Sequence, residues 1–272
     1  MALWQTTRFR LDLTRPLVMG IVNNTPDSFS DGGHHHSVTA ALRHAEKLLK
    51  DGAHILDIGG ESTRPGSPAV PLEEEMRRVL PFVQAAVQFG VPISVDTYKA
   101  QVMQAVLDAG ADIINDVWAL RQPGAQSVVA NHPHCGVVLM HMHKTPQDMQ
   151  QTPMQGDAVA QVQNFLAQQT QALLALGVER QRIVWDYGIG FGKTVAQNFA
   201  LLAQQAALTR QGFALLAGWS RKSSLGQVTN LSVEERMVPS VAAAVLAVER
   251  GARIVRVHDV AGTRDALRVL TA

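Results

Sequence analysis

The chain has 272 residues, of which 46% are hydrophobic and 17% are charged, and its formal net charge is +1. This composition excludes a disordered chain and gives no bulk attraction to nucleic acid or to an anionic membrane. The single cysteine, Cys135, excludes an internal disulfide framework. No apolar run reaches the roughly 20 residues that span a bilayer, and residues 1–15 lack a signal-peptide core. We therefore expect a cytoplasmic protein.

One pattern repeats along the chain: a helix ends at a glycine, a short apolar strand follows, and a polar residue ends the strand. Before the first repeat, alternating apolar residues between Leu3 and Leu13 predict a small strand or hairpin. Residues 17–22 predict a buried strand, and residues 37–51 predict a helix that ends at Gly52. The later strands are predicted at residues 55–58, 93–96, 113–116, 137–141, 183–186, 214–218 and 254–258.

The helices between these strands complete the repeat. Thr194 with Gln197, and Ser232 with Glu235, each match a capping box at a helix start, and residues 263–270 predict the last helix. Eight strand–helix units in about 250 residues predict an α/β fold, a single (β/α)8 TIM barrel over residues 1–272, with residues 1–16 as an extension that packs on it. The alternative is a doubly wound open sheet, which usually has fewer strands.

Polar residues end the predicted strands, which is where a barrel carries its chemistry. They are Asn23, Thr63, Arg64, Asp96, Asn115, Asp116, His141, Asp186, Ser220, Lys222, Arg256 and His258. The oxygens of Asp96, Asn115 and Asp186 suit a ligand rich in N–H donors, such as a 2-amino-4-oxo heterocycle. The alternative for these three is that each caps the helix that follows, and for Asn23 that it opens a turn.

Two groups of basic residues indicate an anionic ligand. Arg221 and Lys222 stand at a predicted helix start, where each cation is unfavourable by about 0.3–1 kcal/mol, and such a violation is typical of a functional site. The alternative is a solvated first turn. Arg256 and His258 alternate on the last strand, and an arginine that faces a barrel interior requires an anion. Together with Arg64 they indicate a diphosphate.

The glycine-rich segment 186–194 fails the P-loop pattern at Tyr187 and the dinucleotide-binding pattern at Lys193. We expect its glycines to let the backbone approach a flat ligand, with Phe191 available to stack on it. His141 and His143 have the spacing of a metal pair, but we expect His141 to line the barrel mouth instead.

Several longer motifs resemble one family. They are Met19-Gly20-x-x-Asn23-x-Thr25-Pro26-Asp27-Ser28-Phe29, Gly60-Glu61-Ser62-Thr63-Arg64-Pro65-Gly66, Ser94-Val95-Asp96-Thr97, Ile114-Asn115-Asp116, Asp186-x-Gly188-x-Gly190-Phe191-Gly192-Lys193, Ser220-Arg221-Lys222-Ser223 and Arg256-Val257-His258-Asp259. From about Leu17 to its end the chain resembles the bacterial dihydropteroate synthases, a pterin-binding TIM-barrel family. The resemblance implies a transferase that joins 6-hydroxymethyl-7,8-dihydropterin diphosphate to 4-aminobenzoate and releases diphosphate, with Mg²⁺.

The resemblance also implies site residues and a homodimer. It implies a pterin site made of Asp96, Asn115, Met140, Asp186 and Lys222. It implies a metal–diphosphate site made of Asn23 as the metal contact, Thr63, Arg64, Arg256 and His258. It implies a benzoate site made of Phe29, Pro65, Phe191 and Ser220, and a substrate-binding set that also includes Gly190, Gly218 and Arg221. The residues expected to be catalytic are Asp96, Lys222, Arg256 and His258. The charges predict a dissociative substitution with no covalent enzyme intermediate.

The chain departs from the family pattern at three positions. The family usually has proline where Tyr187 stands, serine where Tyr98 stands and valine where Asn24 stands. Tyr187 lacks the fixed φ of proline beside Asp186, which bears on the geometry of that loop. Two other functions stay open at this stage: a pterin-dependent methyltransferase-type domain, which needs no diphosphate or benzoate site, and a non-catalytic pterin-binding protein.

Overall fold

Eight parallel strands form a closed barrel in the computed structural model, which describes residues 2–23, 34–63, 66–145, 148–149 and 151–272. The eight barrel strands are β3 Leu17–Asn23, β4 Ile55–Gly59, β5 Ile93–Asp96, β6 Ile113–Asp116, β7 Gly136–Met140, β8 Ile183–Asp186, β9 Ala214–Ala217 and β10 Ile254–Val257. They are preceded by two short strands outside the barrel, β1 Leu3–Gln5 and β2 Arg10–Asp12. From β3 to β10 each strand pairs with the next one along the chain, and β10 also pairs with β3. The predicted (β/α)8 barrel is confirmed, and the closing β10–β3 pair excludes an open sheet.

Helices surround the barrel and follow the strands as predicted. Within the described ranges they are α1 His34–Asp51, α2 Leu72–Ala86, α3 Ala100–Asp108, α4 Ala125–Asn131, α5 Ala158–Ala175, α6 Val195–Ala203, α7 Ala206–Thr209, α8 Ser223–Thr229, α9 Met237–Glu249 and α10 Val260–Leu270. The capping box of Thr194 and Gln197 is present at the start of α6. None of these helices combines the length and the apolar character needed to cross a membrane.

The barrel strands alternate between two cores. Side chains such as Val18 belong to the large core between the strands and the helices, whereas Met19 belongs to the core inside the barrel. This follows from the period of two in a strand. On several strands the inner position is apolar near the amino end and polar two residues later. Ile113 is followed by Asn115, and Ile254 is followed by Arg256. The sequence therefore places the polar centre in the carboxyl half of the barrel.

The N-terminal hairpin covers the opposite, amino end of the barrel. β1 and β2 pair as antiparallel strands, which confirms the predicted hairpin. Trp4 is fully buried among the inner apolar residues, and its Nε1 donates to the carbonyl of Arg182 at 3.0 Å. Cys135 is buried at the same end, where its Sγ accepts from Arg182 Nη2 at 3.1 Å. The interpretation of Cys135 as a structural residue away from the mouth agrees with this position.

The capping box predicted at Ser232 and Glu235 is wrong. Residues 233–236 form a turn, and α9 begins only at Met237, although the Glu235 carboxylate accepts from the Ser232 backbone N–H at 3.0 Å. The reason is Pro239. In a helix that started at Ser232 this proline would lie in the interior, where its ring clashes with the preceding turn. In α9 it occupies the first turn, where no intrahelical N–H bond is needed.

Candidate active site

A buried cluster of charges lies at the centre of the barrel mouth. The Arg256 guanidinium donates through Nε to Asp57 Oδ2 at 2.6 Å and through Nη2 to Asp96 Oδ2 at 2.9 Å. The prediction that an inward-facing Arg256 requires an anion agrees with these contacts, but the anions that meet it are carboxylates of the protein. Burial alone would lower the pKa of Arg256, but Asp57 and Asp96 outweigh that effect and raise the pKa above its ordinary value.

Asp96 is the acid of this cluster that is oriented toward a ligand. Burial raises the pKa of Asp96 to about 7, the positive charge of Arg256 opposes this rise, and nearby Asp57 adds to it. Its second oxygen, Oδ1, is buried and has no hydrogen-bond partner in the part of the chain that the structure describes. Because an unsatisfied buried acceptor costs about 1–3 kcal/mol, Oδ1 is placed to accept an N–H group from a bound molecule.

Sequence reasoning missed Asp57. The residue was seen only as part of a short apolar strand, yet its carboxylate also accepts from Ser94 Oγ at 2.5 Å and from Asn115 Nδ2 at 3.3 Å. A signal was present, because a lone acid inside a strand that is buried on both faces needs several donors around it.

Asp186 and Lys222 lie on the other side of the mouth. Asp186 is buried, and its Oδ1 accepts from the Gly188 backbone N–H at 2.7 Å. Burial raises the pKa of Asp186, an effect that the Gly188 hydrogen bond and then the charge of Lys222 oppose. Lys222 Nζ lies 4.3 Å from the centre of the Phe191 ring, a cation–π distance. The structure thus brings together the predicted acid, cation and aromatic ring.

The helix-cap alternative does not hold for the three predicted acceptor residues. The N-cap residues of α3, α4 and α6 are Lys99, Gly124 and Thr194. Asp96, Asn115 and Asp186 are instead buried inside the mouth. Asp116 is different: its carboxylate accepts from the backbone N–H groups of Trp118 and Leu120, both at 2.7 Å, and so it holds a turn.

The glycine-rich segment 186–194 is folded around a buried lysine. Lys193 Nζ contacts three carbonyl oxygens, those of His141 (3.2 Å), Gly188 (2.8 Å) and Phe191 (3.2 Å). Burial lowers the pKa of Lys193 to about 7, and Asp186 opposes that shift. Gly188 and Gly190 both have φ values in the left-handed region, at 65° and 83°. The lysine therefore fastens this segment to the end of β7 and holds Phe191 in place.

Tyr187, one of the departures from the family pattern, points away from the mouth. Its side chain is fully buried, and its hydroxyl donates to Gln205 Oε1 at 2.8 Å and accepts from Trp219 Nε1 at 3.2 Å. Gln205 Nε2 in turn donates to the Ala247 carbonyl at 2.8 Å in α9. The tyrosine thus replaces the fixed φ of proline with a network of side-chain bonds that anchors the backbone beside Asp186.

Ser220 and His258 form a hydrogen-bonded pair. Ser220 Oγ lies 2.9 Å from His258 Nδ1 and also accepts from the His258 backbone N–H at 3.1 Å. Next to it, Arg221 Nη2 donates to Asp259 Oδ1 at 2.8 Å. The Arg221 side chain is paired with Asp259 and is still 37% exposed, so it reaches toward solvent as the solvated-turn alternative has it. α8 begins at Ser223, with Lys222 as its N-cap residue.

One wall of the mouth is apolar. Met140 and Phe191 are buried and belong to a small cluster with three other buried apolar residues. Those three are Val117, Met142 and Met149. Tyr98 and Trp118 pack against this cluster with their ring centres 6.2 Å apart. A flat, polar-edged molecule would meet acceptors on its edge and sulfur and aromatic atoms on its face.

Tyr98 also anchors the segment that carries Thr63. The Tyr98 hydroxyl donates to Glu61 Oε1 at 2.9 Å. The other oxygen of Glu61 accepts from Lys99 Nζ at 2.5 Å and from the Val70 backbone N–H at 3.2 Å. Burial raises the pKa of Tyr98, and the Glu61 hydrogen bond adds to that rise. Tyr98 and Glu61 together hold both ends of the segment after β4.

Several predicted residues lie outside the described part of the chain, namely Phe29, Arg64, Pro65 and the side chain of Asn23. Thr63 is half-buried, and Gly218 lies against Asp186, since a Cβ built on it would be 3.9 Å from Asp186 Oδ2. His141 is buried and its ring packs edge-on against Phe165 at 5.0 Å. Among the described residues, no three His, Cys, Asp or Glu side chains lie together as a metal site.

Fold and site together define a class of protein: a TIM barrel whose mouth presents buried acceptors and an apolar wall to a small, flat ligand. Comparison with known proteins agrees. Residues 19–258 match the model of the pterin binding enzyme family. The dihydropteroate synthase of Neisseria meningitidis serogroup B is 48% identical over 99% of this chain and 96% of that protein. The chain belongs to the pterin binding enzyme family.

Two solved structures resemble the chain over nearly its full length. Xanthomonas albilineans dihydropteroate synthase with 4-aminobenzoic acid is 52% identical, has a TM-score of 0.90, and matches over 96% of this chain and 94% of that one. Burkholderia cenocepacia dihydropteroate synthase complexed with 7,8-dihydropteroate is 50% identical, has a TM-score of 0.89, and matches over 99% and 95%.

Proposed function

We propose that this chain catalyses the dihydropteroate synthase reaction, in which 6-hydroxymethyl-7,8-dihydropterin diphosphate and 4-aminobenzoate give 7,8-dihydropteroate and diphosphate. The observation that supports this most is the buried Oδ1 of Asp96, which has no partner among the described residues, in a mouth that also buries Asn115 and Asp186. A pterin ring carries N–H groups along one edge, and these groups would satisfy such acceptors. The full-length similarity to dihydropteroate synthases gives the same reaction.

In this proposal the N–H groups on the pterin edge donate to Asp96, Asn115 and Asp186. Lys222 donates to an acceptor atom on the same edge. Met140 lies against the face of the ring. Lys222 packs on Phe191, and we propose that the Phe191 ring lies beside the ring of the aromatic amine. Ser220, already bonded to His258, is proposed to receive the benzoate carboxylate.

We propose that the diphosphate lies near His258 and Thr63 with one Mg²⁺, and that Asn23 is the metal contact. Mg²⁺ is commonly held by substrate phosphates with few protein ligands, which fits a described site without a cluster of three carboxylates or imidazoles. When bound, it neutralises charge on the leaving diphosphate. The carboxylates of Asp96 and Asp186 would stabilise the delocalised cation left on the pterin methylene, which the amine then attacks.

Replacement of Lys222 tests this reaction. We expect wild-type protein with Mg²⁺ to release diphosphate from the pterin diphosphate only when 4-aminobenzoate is present. We expect Lys222→Ala to lower kcat/KM by about 100-fold or more, because a charged donor to the ring is lost. Lys47→Ala, which removes an exposed lysine paired with Asp51, serves as the control and should leave the rate unchanged. Pterin binding without amine-dependent release in the wild type would favour the non-catalytic binding protein.

The tyrosine at position 98 gives a second test. Tyr98→Phe removes the 2.9 Å bond to Glu61 but keeps the ring beside Trp118. We expect the KM values for both substrates to rise about threefold to tenfold with little change in kcat, since one hydrogen bond to a charged group is lost at the segment that carries Thr63. Steady-state kinetics measures this. Unchanged KM values would show that Lys99 and the Val70 backbone hold Glu61 without the phenol.

We also propose a homodimer in which the second copy covers α9. This helix is apolar on most sides and exposes Met237 and Val238, the latter 69% exposed, and nearby Val228 and Val233 are exposed too. Exposed apolar side chains on a helix and on the turn before it are typical of a protein–protein contact. Sedimentation equilibrium should give twice the chain mass for the wild type and a shift toward the monomer for Val238→Asp.

A further inference from the structure

A carboxylate that lies below the mouth organises three of the site's side chains. Asp57 is in β4, and its side chain has no exposed surface. It nevertheless accepts hydrogen bonds from side chains on three other strands: Ser94 on β5, Asn115 on β6 and Arg256 on β10. We propose that Asp57 is a positioning residue that sets which atoms the site presents to the pterin edge. This inference rests on the proposed function and extends it to ring selection.

The first consequence concerns the amide of Asn115. An amide can present either its oxygen or its nitrogen to a neighbour, whereas an ionised carboxylate only accepts. Asn115 Nδ2 lies 3.3 and 3.4 Å from the two oxygens of Asp57. With Nδ2 turned to Asp57, the Oδ1 atom lies on the opposite side of the amide. Asp57 thereby makes Asn115 an acceptor toward the ligand. The amide cannot be flipped, because its oxygen would then face the carboxylate oxygens of Asp57, which are also acceptors.

The second consequence concerns Arg256 and Asp96. The guanidinium is planar, so two anchors, Nε on Asp57 and Nη2 on Asp96 Oδ2, fix its plane. One Asp96 oxygen is thereby occupied, and Oδ1 is the atom without a partner in the described residues. Through both routes the site offers acceptors, so it selects a ring whose edge carries N–H donors.

The charges around Asp96 supply a second readout, the pH dependence of pterin binding, which loss of a carboxylate remote from Asp96 would not move. Arg256 from β10, Asp57 from β4, Asp116 from β6 and Glu75 from α2 all act on the Asp96 carboxyl. Of these, Asp57 is a like charge that disfavours ionisation of Asp96. Removing that charge lowers the pKa of Asp96, so the acid limb of pterin binding moves to lower pH.

The experiment compares Asp57→Asn with Asp112→Asn in the full chain. Asp112 is also a fully buried carboxylate paired with an arginine, accepting from Arg8 Nη2 at 2.6 Å, but it lies at the amino end of the barrel. We expect Asp57→Asn to raise the KM for the pterin diphosphate at least tenfold, to leave the KM for 4-aminobenzoate within twofold, and to shift the acid limb downward. Asp112→Asn should lower the melting temperature and change neither KM nor the pH profile.

A second variant keeps the test decisive if Asp57→Asn does not fold. Ser94→Ala removes only the 2.5 Å bond to Asp57, and we expect the same selective rise in the pterin KM at about threefold to tenfold. Parallel losses for both substrates, or no change, would overturn the proposal. Calorimetric measurement of the affinity for the pterin diphosphate distinguishes failure of the proposed reaction from failure of the proposed role of Asp57. A wild type that binds the ring without turnover refutes the reaction but still tests Asp57, whereas a wild type that binds no pterin refutes both.

Discussion

Arg256→Met should lower the free energy of unfolding by about 3–5 kcal/mol near pH 8, because Asp57 and Asp96 would then be buried without their shared counter-charge. We also expect diphosphate release to fall by about 100-fold or more, since the plane that orients Asp96 is lost. Urea unfolding and the diphosphate assay measure the two effects. The control is Arg264→Met, which removes a surface pair with Asp265 worth less than about 1 kcal/mol.

The pH dependence of this variant has a definite sign. The pKa of Asp96 is raised to about 7 in the folded protein, against an ordinary value near 3.9 in the unfolded chain. Between these values the folded state binds more protons, so the free energy of unfolding falls as pH rises. Without Arg256 the pKa of Asp96 rises further. We therefore expect Arg256→Met to regain part of its lost stability at pH 5.5, and a loss that is equal at pH 5.5 and pH 8 would contradict this account.

Gly188→Ala should disrupt the mouth more than any other glycine-to-alanine change in the segment after β8. The residue has φ of 65°, and a Cβ there would lie 2.0 Å from the backbone oxygen of His141. That oxygen cannot retreat easily, because it also accepts from the buried Lys193. We expect a loss of about 3 kcal/mol or more from the left-handed strain and the backbone clash together. We also expect a large fall in kcat/KM, because Asp186 loses its fixed partner.

The matched control for this prediction is Gly177→Ala. Gly177 also has a left-handed φ, of 85°, but a Cβ there meets no atom of the described residues within 4 Å. Its cost should be only the conformational strain, about 1–2 kcal/mol. Chemical denaturation measures the loss of unfolding free energy in both variants, and the difference between the two losses is the cost of the clash with His141. Equal losses in the two proteins would show that the segment after β8 can move away from His141.

Local patterns in the sequence were enough to predict the strands and helices of this protein. Strand and helix periods, glycine stops and the capping box at Thr194 are local signals, and they predicted the eight barrel strands and the acceptors at Asp96, Asn115 and Asp186. The prediction of a helix start failed where two local signals conflicted. The capping pattern at Ser232 is outweighed by Pro239, an equally local signal that moves the helix start to Met237.

The partners of the site residues depend on the closed barrel and could not be predicted from the sequence. Arg256 meets Asp57 from 199 positions away in the chain, and Ser220 meets His258 from 38 positions away. No periodicity relates residues at such distances, because closure of the barrel brings their strands together. For the same reason, the sequence indicated a diphosphate as the anion for Arg256, whereas the closed barrel brings the carboxylates of Asp57 and Asp96 to it. The acceptor pattern at the barrel mouth is therefore a property of the closed sheet.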